Sequence, residues 1–230
     1  MGRWALGAVL CVGTLFAVAC GGGGSSSSGT TQQVRVVMAS PDAPPVDILI
    51  DGGQVATSLA YRNFTSYTPV KTGQHRIEAI RVSDSASIFQ QTVAVGASAN
   101  LTVLITGPAA MTQGLVLTDA STTSTTVSTG NGYVRVVNAS PAMGVADVFI
   151  VNAGAGLNGA TPASSSLPFN QTTGYQLTAI GNYQVFMTAP GTTNVFLDTG
   201  PLALAQTQYQ TVVAVDGRNG GFTYILLMDQ

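Results

Sequence analysis

Apolar and polar residues alternate in short segments of this chain. Val46, Ile48 and Ile50 share one face of an extended segment, while Asp47 lies on the other face. Successive side chains of a strand point to opposite faces, so this period of two predicts a β-strand with one buried face. The segment 75–80 follows the same pattern. Beyond the N-terminal apolar run no helical stripe exceeds about ten residues, so the pattern predicts an all-β protein.

Turn residues separate the predicted strands at short intervals. Proline, aspartate and glycine stand where reversals of the chain need a fixed or positive φ. The clusters lie at 41–45, 51–53, 71–73, 131–132 and 216–217. About seven short strands per unit at this spacing predict antiparallel β-sandwiches, immunoglobulin-like in outline.

The predicted strands fall into two copies of one unit. The segment VRVVMASP at 34–41 recurs as VRVVNASP at 134–141, and both units close on a similar apolar strand that ends in aspartate. An internal repeat of this length predicts one small core per copy. We therefore predict a first sandwich over 34–119, a Ser/Thr linker over 120–131 and a second sandwich over 132–230.

The N-terminal segment is predicted to direct export. An apolar run from Trp4 to Ala19 follows Arg3 and is shorter than a bilayer span. Small residues precede Cys20, and a Gly/Ser stretch follows it. We predict a signal peptide over 1–19, a lipidated Cys20 and a flexible linker over 20–33. An ordinary secretory signal with an incidental cysteine is the alternative.

Composition narrows the possible partners. Only 8% of residues are charged, and eight basic side chains stand against ten acidic ones. A chain with this charge balance lacks the excess of basic residues that is typical of nucleic-acid-binding proteins.

The cysteine content restricts the kinds of site that the mature chain can form. Cys11 and Cys20 are the two cysteines. After cleavage one thiol would remain, which excludes an intrachain disulfide and a multi-cysteine zinc site.

The pattern V-R-V-V-x-A-S-P-D-A-P-x-V-D over 34–47 carries a family resemblance. Followed by a tyrosine and a strand that starts Gly-x-aromatic, it resembles domain of unknown function family 4397 of bacteria and archaea. The resemblance implies exported, often lipid-anchored proteins and brings no established activity. Many members carry histidine where this chain has Met38 and Asn138, so a metal role at those positions does not carry over. Gly21 after the cysteine, by resemblance to Gram-negative sorting signals, implies the outer membrane.

Candidate chemistry is sparse. Asp42, Asp47 and Asp51 crowd one strand and loop and resemble oxygen ligands for calcium, but turns that use aspartate as a hydrogen-bond acceptor explain them more simply. His75 is the one histidine, and its repeat counterpart is Tyr183, which favours an aromatic position at a strand start over proton transfer. No nucleophile has a base beside it in a known pattern. We predict no catalytic residue, no metal, no cofactor and no enzymatic activity.

The most specific structural prediction is a repeated ion pair. Arg35 and Asp47 flank the Ser40-Pro41 turn, and Arg135 and Asp147 repeat the separation. If the flanking strands pair antiparallel with one core face, each arginine lies opposite its aspartate. The alternative is a ligand site that uses the two aspartates.

The function expected from these features is a non-catalytic one. A lipid-anchored envelope or cell-surface protein would present two β-sandwich modules for adhesion or protein assembly, with envelope proteins or surface glycans as partners. The alternative is a carbohydrate or small-ligand binding lipoprotein, which a cleft lined by several tyrosines would favour. An enzyme with a site invisible in the sequence is the third class.

Overall fold

The structure, a computed structural model, describes residues 1–2, 30–120 and 129–229. Outside the described residues lie the predicted signal peptide from residue 3 onward, Cys20, residues 21–29 of the following linker and residues 121–128 of the Ser/Thr linker. The first repeat contains β1 Thr31–Met38, β2 Val46–Ile50, β3 Gly53–Leu59, β4 Thr68–Lys71, β5 Gly73–Arg81, β6 Ser87–Val95, β7 Leu101–Thr106 and β8 Gln113–Thr118, with a one-turn 3₁₀ helix at Ala109–Met111. The second contains β9 Asn131–Asn138, β10 Ala146–Asn152, β11 Ser164–Leu167, β12 Gln171–Ala179, β13 Gly181–Thr188, β14 Val195–Asp198, β15 Leu202–Leu204, β16 Tyr209–Asp216 and β17 Phe222–Asp229.

Each repeat is a sandwich of two sheets, which confirms the predicted fold class. We call β4-β1-β7-β8 the first inner sheet and β3-β2-β5-β6 the first outer sheet. The second inner sheet is β12-β9-β16-β17, and the second outer sheet is β11-β10-β13-β14 with β15 also paired to β13. Within this antiparallel architecture one pair per repeat is parallel: β1 with β7, and β9 with β16.

The alternating pattern places one face of each strand in a sandwich core. In β2 the buried residues Val46, Ile48 and Ile50 point into the first core, where they meet Val34 and Val36 of β1. The second core is built in the same way. Among the described residues, no helix is long and apolar enough to cross a membrane.

The inner sheets are buried on both faces. All six residues of β7 are buried, as are the last five of β1. A third core joins the repeats and contains Val37, Ala39, Tyr61, Leu104 and Leu117 of the first repeat with Val137, Ala139, Val213, Val215, Ile225 and Leu227 of the second. We call this contact between the two inner sheets the repeat junction.

The sheet assignment contradicts the register that the predicted ion pair required. Strand β1 pairs with β4 and β7, whereas β2 pairs with β3 and β5 in the other sheet. The physical reason lies in the proline-rich segment 39–45, which carries the chain from one sheet to the other instead of forming a hairpin. Val36 therefore lies beside Val103 of β7, in the sheet that does not contain β2.

Candidate functional site

Four charged side chains meet at the centre of the repeat junction. Arg35 Nη2 lies 2.5 Å from Asp229 Oδ1, and Arg135 Nη2 lies 2.6 Å from Asp119 Oδ1. Each arginine is 3% exposed, and both carboxylates are fully buried. Each arginine thus has its closest carboxylate in the other repeat, on the last residue of β17 or on the residue that follows β8. We call these four residues the four-charge cluster.

Threonine hydroxyls connect the cluster within each repeat. Thr102 Oγ1 accepts hydrogen bonds from Arg35 Nε at 3.1 Å and Nη2 at 2.8 Å, and donates to Asp119 Oδ2 at 2.6 Å. Thr211 connects the other arginine and carboxylate in the same way, at 2.9 and 2.5 Å. Because a buried ion is stable only when its remaining hydrogen-bonding capacity is used, these hydroxyls are part of the charge pairing.

Two tyrosines complete the cluster. Tyr67 donates its hydroxyl to Asp119 Oδ2 and Tyr175 donates to Asp229 Oδ2, each at 2.7 Å. The guanidinium of the same repeat lies over each ring, 4.5 and 4.4 Å from the centroid, a favourable cation–π distance. Burial, and then the neighbouring carboxylate, raise the pKa of Tyr67. Burial also raises the pKa of Tyr175. Both phenols therefore remain protonated donors at neutral pH.

The arginines also bind main chain of the opposite repeat. Arg35 Nη1 donates to the carbonyl O of Met228 at 2.9 Å, and Arg135 Nη1 donates to that of Thr118 at 3.0 Å. These carbonyls lie on β17 and β8, the edge strands of the inner sheets. The arrangement is reciprocal and holds the two repeats in one relative orientation.

The predicted pairs Arg35–Asp47 and Arg135–Asp147 were wrong, since both arginines belong to the four-charge cluster. Asp47 Oδ1 accepts from the backbone N–H of Ser58 at 2.9 Å, and Asp147 Oδ1 accepts from that of Ser166 at 2.7 Å. Both serines have a positive φ, 50° and 53°, and both lie where the strand pairing shifts register. Asp147 Oδ2 also accepts from Gly191 N–H at 2.7 Å. The two aspartates stabilise equivalent β-bulges.

The other acidic candidates bind backbone amides. Asp42 Oδ1 accepts from the N–H of Ala109, and Asp51 Oδ1 accepts from that of Arg76. In the described ranges, no three His, Cys, Asp or Glu side chains come together as a metal site.

His75 forms an ion pair at the rim of the first sandwich. Its Nδ1 lies 2.7 Å from Asp51 Oδ2, and its Nε2 lies 2.6 Å from the carbonyl O of Lys71. Both partners are acceptors, so only the doubly protonated ring satisfies both contacts. Burial lowers the pKa of His75, but the hydrogen bonds to Asp51 and to the Lys71 carbonyl outweigh it and raise the pKa overall. A cleft of about 400 Å³ adjoins the pair.

A second cleft, of about 420 Å³, opens at one end of the repeat junction. Tyr61, Arg62, Asn63, Phe64 and Arg218 line it together with residues 224–226 of β17. We call it the arginine cleft.

Tyr61 is a buried residue of the arginine cleft and lies near two cations. It is 5% exposed and donates its hydroxyl to the carbonyl O of Asp216 at 2.6 Å. Burial first, and then the Asp216 charge, raise the pKa of Tyr61 to about 12, while Arg62 and Arg218 act in the opposite direction. The Arg218 guanidinium carbon lies 6.0 Å from the Tyr61 ring centroid. Arg62 Nη2 has only a long contact, 3.5 Å, with the carbonyl O of Tyr224.

The opposite end of the junction holds different residues. Arg62 and Asn170 occupy equivalent positions: each has a positive φ, 71° and 61°, and each donates its backbone N–H to the last residue of the first strand of its repeat, Met38 or Asn138. Asn170 Oδ1 accepts from the Thr106 hydroxyl at 2.9 Å, a neutral contact between the repeats. One end is therefore cationic and the other carries amides and hydroxyls.

Comparisons with known proteins identify a family. The model of one family, described as Domain of unknown function (DUF4397), matches residues 32–149 and 132–230, in agreement with the two copies expected from the sequence. No curated protein matches the chain.

Solved structures give distant likenesses. The crystal structure of CBMbc, of family CBM26, from Eubacterium rectale Amy13K in complex with maltoheptaose is similar at 9% identity, covers 84% of this chain and 96% of its own, and has a TM-score of 0.30. The Bacillus anthracis TIE protein is similar at 10% identity and a TM-score of 0.24, over 80% of this chain and 33% of its own. At these TM-scores neither likeness bears on what this chain binds.

Proposed function

We propose that this chain, which belongs to the DUF4397 family of domains of unknown function, is a non-catalytic, lipid-anchored envelope protein. Its two β-sandwiches act as one rigid unit and present a binding surface for adhesion or for assembly with another envelope component. The proposal rests on the reciprocal four-charge cluster, because pairing across the junction fixes how the two repeats face a partner.

The cluster favours rigidity over independent motion of the repeats. Separating the repeats would take from Arg35 and Arg135 their closest carboxylates and leave only the longer contacts within each repeat, 4.0 Å to Asp119 and 3.4 Å to Asp229. Removal of one partner from a buried pair typically costs about 3–5 kcal/mol. The apolar third core would be exposed in the same movement. A fixed pair of sandwiches suits presentation of a surface that spans both.

The use made of the titratable side chains supports a non-catalytic role. The buried carboxylates of the cluster accept hydrogen bonds on every oxygen, and both nitrogens of His75 are occupied. A nucleophile needs a base that can take its proton. A histidine whose ring nitrogens both donate to structural acceptors is a poor base.

The lipid anchor is part of the same proposal and rests on the sequence around Cys20. Acyl chains on that thiol would contribute about 0.8 kcal/mol per buried methylene, and two or more chains give stable attachment. Residues 31–33 belong to β1 and not to the predicted linker, so the spacer between Cys20 and the first sandwich has about ten residues. A Gly/Ser-rich spacer of that length would have a root-mean-square span of about 17 Å, enough to clear the lipid headgroups.

A second candidate function is small-ligand or carbohydrate binding. It is favoured by one observation, the presence of two arginines in the same cleft as the buried Tyr61. This candidate is compatible with the first, since an adhesion module needs a ligand.

The proposal is tested by fractionation and crosslinking in cells that produce the full chain. We expect the wild type in the outer membrane fraction, crosslinked to one envelope protein or glycan. Cys20→Ala is expected to leave the membrane and lose the crosslink. Cys11→Ala, which changes the other cysteine of the signal region, is the matched control and should behave as the wild type. Recovery of Cys20→Ala in the membrane at the wild-type level would contradict the lipid anchor. If the variant leaves the membrane but keeps the crosslink, contact with the partner does not need the anchor, and that part of the proposal is contradicted.

A further inference from the structure

Within the part of the chain that the structure describes, two cations of the arginine cleft have no carboxylate partner. Among the described residues there are seven arginine and lysine side chains, and four of them form ion pairs: Arg35, Arg76, Arg81 and Arg135. Of the other three, Arg62 and Arg218 line the same cleft. In a chain with so few charges, two such cations beside one buried tyrosine form a concentrated positive site.

The backbone at Arg62 argues that its side chain has a role of its own. A positive φ costs an L-residue roughly 1–2 kcal/mol, and asparagine tolerates that conformation better than arginine. The equivalent position of the second repeat holds asparagine, Asn170. The fold therefore accepts the conformationally favourable residue at one end of the junction and bears the less favourable one at the other. Strain of this kind accompanies functional residues.

The groups around the two guanidiniums suit a compact ligand with an apolar face. The Phe64 side chain is 44% exposed, and Asn63 is also exposed. Asp216, the acidic residue next to Tyr61, binds the Ser140 hydroxyl. The cleft volume is in the range of sites for small ligands.

An extended peptide fits this cleft poorly. Strand β17 is the edge of the second inner sheet, and a peptide strand would need its outward backbone groups. The carbonyl O of Met228 already accepts from Arg35 at 2.9 Å, and Arg62 lies against that of Tyr224. Arg35 and Arg62 thus cover the edge of β17 to which a peptide strand would have to bind.

We propose that the arginine cleft binds an acidic sugar unit of a glycan. The sugar carboxylate lies between the guanidiniums of Arg62 and Arg218, since guanidinium groups match carboxylates in charge and geometry. The apolar face of the sugar ring packs on Phe64, and its hydroxyls reach Asn63. The acidic sugar is thus the ligand of the proposed binding module. This inference rests on the proposed function only for the location of the ligand, which is at the cell envelope.

The test is calorimetric titration of the purified mature chain with hexamannuronate and with hexagalacturonate at low salt. Binding of at least one of them is expected, with no detectable binding of its carboxyl-reduced counterpart. Arg62→Asn, which installs the residue of the equivalent position, and Arg218→Gln should each weaken binding about tenfold or more. Phe64→Ala should also weaken it. Arg81→Gln, which removes a partly exposed arginine elsewhere, is the matched control and should leave affinity within about twofold.

Several results overturn the proposal. They are no binding of either acidic oligosaccharide, equal binding of the reduced form, or equal losses in the Arg81→Gln control and the cleft variants. A triglutamate peptide that binds the cleft more tightly than both sugars would assign it to acidic peptides instead. Thermal unfolding of Arg62→Asn at or above the wild-type temperature shows that any loss of binding is not a loss of fold. Membrane fractionation separates a failure here from a failure of the proposed function, because the anchor does not depend on Arg62.

Discussion

The centre of the repeat junction contains the same residues in both repeats, whereas its two ends contain different ones. At the centre, every charged or polar side chain of one repeat has the same residue type at the equivalent place in the other. At the ends, Arg62 faces solvent in one repeat, while Asn170 binds Thr106 across the junction in the other. Comparison of the two repeats thus distinguishes the residues that the fold requires from the positions at which the residue can vary.

Burial explains the difference. A charge in the centre has lost its water and has its closest partner in the other repeat, so a change in one copy removes that partner from a buried charge of the other copy. A cation at the end remains solvated and needs no partner. Only the ends can differ between the repeats without a buried charge losing its partner, and the arginine cleft is the end that carries charge.

The largest effect is expected from breaking the centre. Asp229→Ala should lower the free energy of unfolding by about 3–5 kcal/mol, because Arg35 would be left buried without its closest carboxylate. Asp119→Ala should cost the same within error, since its surroundings are equivalent. Urea denaturation measures both. Asp84→Ala, which removes the exposed partner of Arg81, is the control at under about 1 kcal/mol. A cost at the control level for either cluster variant would contradict the comparison.

The tyrosine hydroxyls should have a smaller and equally repeated effect. Tyr67→Phe and Tyr175→Phe should each cost about 1–3 kcal/mol, since each removes a hydrogen bond to a buried carboxylate. Folding raises the pKa of both tyrosines above about 10, the value in the unfolded chain. The stability that the two phenols contribute is therefore present below about pH 10 and is lost as the pH rises toward the folded pKa. The cost of each substitution, measured by denaturation at a series of pH values, should shrink above pH 10. Unequal costs would show that the two halves of the centre differ.

At the ends, the exchange of residues should change stability by about 1 kcal/mol or less and in opposite directions. Arg62→Asn should raise the free energy of unfolding, because asparagine adopts the positive φ more readily. Asn170→Arg should lower it, since it brings in the same strain and loses the bond from Thr106. Thermal denaturation of both variants is the measurement. A destabilised Arg62→Asn would assign Arg62 a structural role.

The smallest effect is expected at His75, outside the junction. His75→Gln should cost under about 1 kcal/mol, because Asp51 is half exposed. The pKa of His75 is raised in the fold, so its contribution is full below about pH 6.5 and disappears as the pH rises through the folded pKa. The pKa of Asp51 is lowered, chiefly by its hydrogen bond to His75, so that contribution disappears as the pH falls through the folded pKa. Denaturation at pH 5 and pH 8 should show a larger cost of the substitution at the lower pH.

The fold class could be predicted because it depends on local pattern. Alternation in the segment 46–50 and turn residues at regular spacing define strands without knowledge of their neighbours. The repeat of 34–41 at 134–141 then gave two sandwiches. The run Val34 to Met38 also contains a signal for burial on both faces, since its apolar residues do not alternate strictly.

The cluster partners could not be predicted in the same way. Proline in the segment 41–45 indicates a turn, but the residue type does not tell whether the chain reverses within a sheet or crosses to another. Arg35 lies twelve positions from Asp47 and at the opposite end of the chain from Asp229, and spacing favours the nearer partner. The available signal was that both copies end in an aspartate as well as begin with an arginine, which is consistent with pairing between copies.

The central claim, that Arg35 pairs across the junction and fixes the two repeats, is tested most directly by a double-mutant cycle. Arg35→Met and Asp229→Leu are made singly and together in the full chain, and the free energy of unfolding is measured for each. The account predicts a coupling energy of at least about 1 kcal/mol. The parallel cycle of Arg35→Met with Asp47→Leu should be additive within about 0.5 kcal/mol. Additivity for Arg35 and Asp229, or coupling only with Asp47, would contradict the account.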